Sequence, residues 1–71
     1  MRGNEFVRRL QKYAKKRGLE FSWRPDRGKG SHGLLVVGNR RTVVRNPKDE
    51  LKSGTFHAML KQLGITESDL M

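Results

Sequence analysis

The chain is short, basic and free of cysteine. Its 71 residues suffice for one small domain, and the lack of cysteine excludes disulfides and Cys-based zinc sites. Sixteen Lys and Arg against seven Asp and Glu give a net charge of +9, which attracts polyanions. Nucleic acid is therefore the expected partner, ahead of an anionic membrane surface.

The sequence offers no sign of a membrane segment or of a metal site. The longest apolar run, residues 34–37, is far too short to cross a bilayer. No signal-peptide stretch opens the chain, so we expect a soluble cytoplasmic protein. His32 and His57 stand far apart and form no ligand cluster, and we expect neither a metal nor another cofactor.

Residues 4–17 are predicted to form the first helix. Its apolar residues recur at spacings of three and four and form one stripe: Phe6, Val7, Leu10, Tyr13 and Ala14. Asn4 is the expected N-terminal cap, and Gly18 is expected to end the helix. Cations crowd the last turns, where they either offset the helix dipole or contact RNA.

Three strands are predicted to follow. Residues 19–23 alternate apolar and polar side chains, and Pro25 ends this strand because proline cannot donate to a sheet ladder. Residues 34–37 and 40–45 are predicted to pair as a hairpin around the turn Gly38-Asn39.

A second helix is predicted to start between Ser53 and Thr55 and to end near Leu63, before Gly64. Residues 66–69 have a cap-like pattern, which predicts one more short turn. The order α-β-β-β-α indicates an α+β domain in which a three-stranded antiparallel sheet packs on two helices. This is the layout of double-stranded-RNA-binding domains.

The loop of residues 26–33 carries most of the chemistry. Gly30-Ser31-His32 sets an imidazole behind two glycines and Lys29, and histidine is the side chain suited to proton transfer near neutral pH. The glycines let the backbone approach a phosphate. On these residues alone, His32 either catalyses phosphodiester cleavage or binds a phosphate without catalysis.

Several short segments occur in a specific order along the chain. They are Arg17-Gly18, GKGSH at 28–32, RRTVV at 40–44, ELKSGT at 50–55 and LKQLGI at 60–65. Together they resemble HicA-type toxins, the small RNA-cleaving partners of HicB antitoxins. Two features depart from that pattern. The family's frequent Pro-x-His element is missing after the third strand, around Pro47, and Gly33 stands where a bulkier residue is common.

The resemblance implies the toxin of a type II toxin–antitoxin system, an endoribonuclease that cleaves mRNA without a metal. His32 corresponds to the family histidine on which RNA cleavage depends, and its implied role is general acid or base. The implied partners are single-stranded RNA or mRNA and an acidic HicB-type antitoxin. The residues expected to bind RNA are either positively charged or small enough for a phosphate to approach their backbone amides: Arg24, Arg27, Lys29, Gly30, Ser31, Arg40, Arg41 and Lys52.

A second hypothesis is a non-catalytic RNA-binding module of the double-stranded-RNA-binding type. Against it, the second helix lacks the lysine-rich start that such modules use on phosphates, with only Lys52 nearby. Phe21 and Trp23 are interpreted as core residues rather than base-stacking platforms. His57 is interpreted as a surface residue rather than a second proton donor.

Overall fold

The computed structural model describes residues 1–25 and 32–70 of the chain. Its helices and strands follow in this order: α1 (Gly3–Arg17), β1 (Phe21–Arg24), β2 (Gly33–Val37), β3 (Arg40–Val44), α2 (Ser53–Leu63) and a 3₁₀ helix (Glu67–Leu70). This order confirms the predicted α+β class. Among the described residues, no helix has the length and apolar character that crossing a membrane requires.

The sheet is antiparallel, in the order β1-β2-β3, and only one of its faces is covered. Side chains alternate between the faces, so that Leu35, Val37 and Val44 are buried under the helices. The opposite face, here called the open face, carries the intervening residues, among them Leu34 and Val43. A two-residue turn with a left-handed Gly38 (φ 62°) joins β2 to β3, which confirms the predicted hairpin.

The core lies between this sheet and one face of each helix. Phe6 and Leu10 of α1 are fully buried, and the Phe6 ring meets the Phe56 ring of α2 edge to face at 5.8 Å. The buried Thr42 of β3 donates its hydroxyl to the side-chain oxygen of Gln62 on α2.

The predicted side-chain cap at Asn4 is wrong. The helix begins one residue earlier, at Gly3, and its N-cap position, Arg2, makes no side-chain cap bond. Instead the N–H groups of Gly3 and Asn4 donate to the backbone carbonyls of Asp49 (3.1 Å) and Pro47 (2.8 Å). A Cβ on Gly3 would lie 2.7 Å from the Pro47 Cα, so only glycine fits this close approach.

The predicted start of the first strand at residue 19 is also wrong. The helix ends, as predicted, at a left-handed Gly18 (φ 67°), and the N–H of Leu19 donates to the carbonyl of Ala14 at 2.8 Å. This residue therefore belongs to the helix terminus, is 42% exposed, and precedes the first strand pair at Phe21.

The remaining boundaries are close to those predicted. The second helix begins at Ser53 and ends before a left-handed Gly64. The third strand ends one residue earlier than predicted, because Asn46 adopts a left-handed conformation (φ 47°) shortly after it. The Thr66 N–H donates to the Asp69 carboxylate at 2.9 Å, which confirms the predicted cap of the last short turn.

Candidate functional site

His32 lies directly before β2 and is half-buried. In the ladder between β2 and β3, Gly33 pairs with Val44. The ladder ends there, and extending the register by one residue places His32 opposite Arg45. The imidazole therefore belongs to the end of the sheet from which the chain leaves β3 for α2.

Gly33 holds this end of the sheet together by making room for a tryptophan. A Cβ at position 33 would overlap the indole ring of Trp23 and lie 3.0 Å from the Cα of Pro25. The bulkier residue that is common after the motif histidine is thus incompatible with the packing here. Phe21 and Trp23 are half-buried against the core, in keeping with their interpretation as packing residues.

Three arginines share the open face or its edge. Arg24 pairs with Leu34 across β1 and β2, and Arg41 pairs with Val36 across β2 and β3. Arg45 follows β3 by one residue and continues the alternation on the side of Arg41. All three arginines are exposed. The His32 end of the sheet therefore combines an imidazole with the guanidinium groups of Arg24 and Arg45, which suit bidentate contact with phosphate or carboxylate, and Arg41 lies on the same face near the hairpin turn.

A groove of about 870 Å³ lies along the outer edge of β3, between this strand and α2. Its sheet side consists of residues from β2, β3 and the position after it: Leu34, Arg41, Thr42, Val43 and Arg45. Its helix side consists of one flank of α2: Thr55, Ala58, Met59 and Gln62. We call this the β3–α2 groove. It combines an apolar floor with two flanking arginines, and Val43 in it is 48% exposed.

The structure separates the predicted pair Arg40 and Arg41. Arg41 lines the groove, whereas Arg40 has the opposite strand parity and extends toward α2. A Cβ on Gly64 would lie 2.9 Å from the Arg40 Cζ, so this guanidinium sits against the C-terminus of α2, where it offsets the helix dipole. Lys52 is exposed at the N-cap of α2, one turn before the groove residue Thr55.

Four of the predicted RNA-binding residues, Arg27, Lys29, Gly30 and Ser31, lie outside the described residues. His57 is described, and it is exposed on the flank of α2 that faces away from the groove. Its ring packs edge to face against Phe56 at 5.2 Å. His57 lines a small pocket together with Met1, Leu51 and Phe56, and His32 is not among the residues that line it.

Arg45 is a candidate site residue that the sequence alone does not single out. The signal for it is the alternation of β3, in which buried Thr42 and Val44 are separated by exposed Val43 and followed by exposed Arg45. Within residues 1–25 and 32–70, no three His, Asp or Glu side chains come together in the way a metal site requires.

A small basic α+β domain, with a histidine beside an arginine-rich sheet face, is thus the class of protein that the fold and the site define. A family model described as the HicA toxin of bacterial toxin–antitoxin systems matches residues 3–65. The chain therefore belongs to the HicA toxin family, and it is the toxin component of such a system. Comparisons with curated proteins and with solved structures found no match.

Proposed function

We propose that this toxin is an endoribonuclease that cleaves mRNA, with His32 as its general acid or base and without a metal. One observation carries the proposal most directly. In a chain of this family, the register of the sheet sets His32 level with Arg45, on a sheet that also carries Arg24 and Arg41. A proton-transfer group beside fixed positive charge is what phosphodiester cleavage requires.

RNA carries its own nucleophile, so the protein needs no covalent catalyst. The 2′-oxygen attacks the neighbouring phosphorus, the bond from phosphorus to the 5′-oxygen breaks, and the products are a 2′,3′-cyclic phosphate and a 5′-hydroxyl. His32 removes the proton from the 2′-hydroxyl or donates one to the leaving 5′-oxygen, and water takes part in the other proton transfer. Arginine guanidinium groups stabilise the extra negative charge of the pentacoordinate phosphorus. Lys29 and the backbone amides of Gly30 and Ser31, predicted from the sequence, would add to this cradle.

We infer that the inhibitor is an acidic HicB-type antitoxin that covers His32 and the β3–α2 groove. The groove presents exposed Val43 and the side of buried Met59 between Arg41 and Arg45. Arginine and methionine are enriched at protein interfaces, and an apolar centre with a charged rim is their usual arrangement. Carboxylates of the partner would pair with these arginines and compete with RNA for the same charge.

The test of catalysis compares two histidine variants of the same chain. Wild type, His32→Ala and His57→Ala are incubated with a single-stranded RNA in EDTA, and the rates and product ends are measured. We expect His32→Ala to lower the rate by roughly 10²–10⁴-fold, the usual share of a general acid or base. His57→Ala, a change of the same size on an exposed site, should cleave like wild type.

Substrate controls test the route. A DNA strand, and an RNA with a 2′-methoxy group at the scissile position, should both survive because they lack the nucleophile. Undiminished cleavage by a folded His32→Ala chain would remove His32 from the mechanism. Loss of wild-type activity in EDTA would contradict a metal-free reaction. RNA binding without cleavage by the wild type would favour the non-catalytic RNA-binding module.

A further inference from the structure

The solvent-facing side of α1 carries a row of cations that the candidate site does not use. Arg8, Lys12, Lys15 and Lys16 follow one another at spacings of four, three and one, and therefore share one side of the helix. All four are exposed, and we call them the α1 stripe. The stripe spans residues 8–16, or about 12 Å along the helix axis.

The α1 stripe is not neutralised within the described part of the chain. The neighbouring cations of α1 do have partners, because Arg9 pairs with Glu5 at 2.9 Å and Arg17 with Asp69 at 3.5 Å. No ion pair joins a member of the stripe to any of the described carboxylates. Like charges four residues apart weaken a helix, so the stripe carries an unfavourable repulsion that a bound polyanion would relieve.

The helix dipole explains only part of this row. Lys15 and Lys16 lie in the last turn of α1, where a cation offsets the partial negative charge. Arg8 and Lys12 lie outside that turn, and the dipole effect fades within a single turn. The helix dipole therefore does not account for the positions of Arg8 and Lys12.

The composition of the stripe favours a phosphate backbone over a protein. Three of its four members are lysines, which are depleted at protein interfaces, and each is exposed. Its lysines also border a shallow groove of about 740 Å³ between α1 and the 3₁₀ helix. A row of lysines provides sequence-independent contact with phosphates.

We propose that the α1 stripe is a second RNA-binding surface, which holds the phosphate backbone on the helical side of the molecule. This inference rests on the proposed function for the identity of the polyanion. It extends the RNA contacts beyond the sheet end and the loop before β2, to a helix face that the β3–α2 groove does not include.

The test measures RNA binding separately from cleavage. A fluorescein-labelled single-stranded RNA is titrated with the His32→Ala chain, with and without Lys12→Gln and Lys16→Gln, at several salt concentrations. Glutamine has nearly the helix propensity of lysine, and its introduction removes repulsion, so α1 should remain folded. We expect the double change to lower affinity by roughly 10-fold or more at 0.1 M salt and to reduce the salt slope by about 1.4, or 0.7 per lost contact.

The matched control removes the same charge elsewhere. Lys48→Gln and Lys61→Gln change two exposed lysines outside α1 and should affect the affinity far less. Equal losses in both double variants would overturn the proposal, because net charge alone would then account for binding. Unchanged RNA affinity combined with weaker antitoxin binding would also overturn it and assign the stripe to the protein partner.

A cleavage assay keeps this proposal distinct from the proposed function. In the chain that retains His32, the Lys12→Gln and Lys16→Gln changes should raise KM and leave kcat near its wild-type value. If no version of the chain cleaves RNA, the proposed function fails, and the binding titration still decides the role of the stripe. If cleavage persists with unchanged KM and unchanged affinity, only the stripe proposal fails.

Discussion

The α1 stripe and the β3–α2 groove are both positively charged, yet they differ in composition and in position. The stripe is lysine-rich, and its four members are exposed. The groove is concave, and its two arginines flank the apolar side chains of Leu34, Val43 and Met59. The two surfaces occupy different parts of the fold, one on the outer side of α1 and one along the outer edge of β3.

The comparison shows that net charge alone does not identify a partner. A value of +9 predicts an anionic ligand for both surfaces. Lysine is a flexible, strongly hydrated point charge, whereas arginine offers a planar fork that binds carboxylates in a desolvated setting. The stripe therefore suits a sequence-independent backbone, and the groove suits a partner with both carboxylates and apolar side chains.

The largest expected effect comes from one negative charge placed in the groove, which should weaken antitoxin binding far more than RNA binding. Ala58 is exposed on the groove flank of α2, so Ala58→Glu adds a carboxylate and bulk without disturbing the core. We expect the affinity for the antitoxin to fall by about 100-fold, because like charges face each other at the interface. The affinity of the His32→Ala chain for RNA should fall much less, because the stripe keeps its charge. Both are measured by titration.

Ala58→Gln is the matched control for this prediction. It adds nearly the same bulk without a charge and should weaken the antitoxin complex only slightly. An Ala58→Glu chain that binds antitoxin like wild type would show that the groove lies outside the interface.

Salt concentration should also distinguish the two surfaces. Four stripe contacts predict a slope of roughly −2.8 for single-stranded RNA, and therefore a loss of about 50-fold in affinity between 0.05 and 0.2 M salt. The antitoxin complex should lose far less, because its apolar centre is not screened. Both affinities are measured with the His32→Ala chain over the same salt series. Parallel slopes would contradict the distinction between the surfaces.

Much of the fold could be predicted because its signals are local. The second helix is marked by its own apolar stripe and by Gly64, and the hairpin by Gly38. The cap of α1 could not be predicted, because the N–H groups of Gly3 and Asn4 donate to the carbonyls of Asp49 and Pro47, more than forty residues away. The local sequence pattern favours Asn4 as the cap, but backbone hydrogen bonds to distant residues cap the helix instead.

The candidate site shows the same limit. Alternation predicts that one of Arg40 and Arg41 faces the open side, but only the strand register identifies Arg41. The place of Arg45 beside His32 also depends on that register. The cations at the end of α1, Lys12, Lys15, Lys16 and Arg17, are visible in the sequence, where dipole compensation and RNA contact fit them equally. Only the fold shows that Arg17 pairs with Asp69 whereas the three lysines pair with no described carboxylate, which favours RNA contact for the lysines.

Replacing an arginine of the groove by lysine, or a lysine of the stripe by arginine, should change the binding affinities by a smaller amount. Arg41→Lys keeps the charge of the groove but removes the fork, and we expect about a fivefold loss of antitoxin affinity. Lys12→Arg keeps the charge of the stripe, and RNA affinity should stay within about twofold because a backbone contact needs charge alone. Equal sensitivity of both surfaces to this exchange, measured by the same two titrations, would remove the chemical distinction between them.

The smallest expected effect concerns the carboxylate that borders the stripe. Asp69 accepts a hydrogen bond from the Thr66 backbone N–H at 2.9 Å and lies 3.5 Å from Arg17, and chiefly that backbone bond lowers its pKa below the ordinary value of 3.8. Its stabilising contribution is therefore complete above about pH 4. It is lost as the pH falls through the lowered pKa. The Asp69→Asn chain should be slightly less stable than wild type at pH 7, and the two stabilities should converge at low pH.

The same change frees Arg17 beside the stripe and should strengthen RNA binding by about twofold. Urea unfolding across the pH range and RNA titration at pH 7 measure the two effects. Weaker RNA binding by Asp69→Asn would contradict the assignment of RNA to this side of α1.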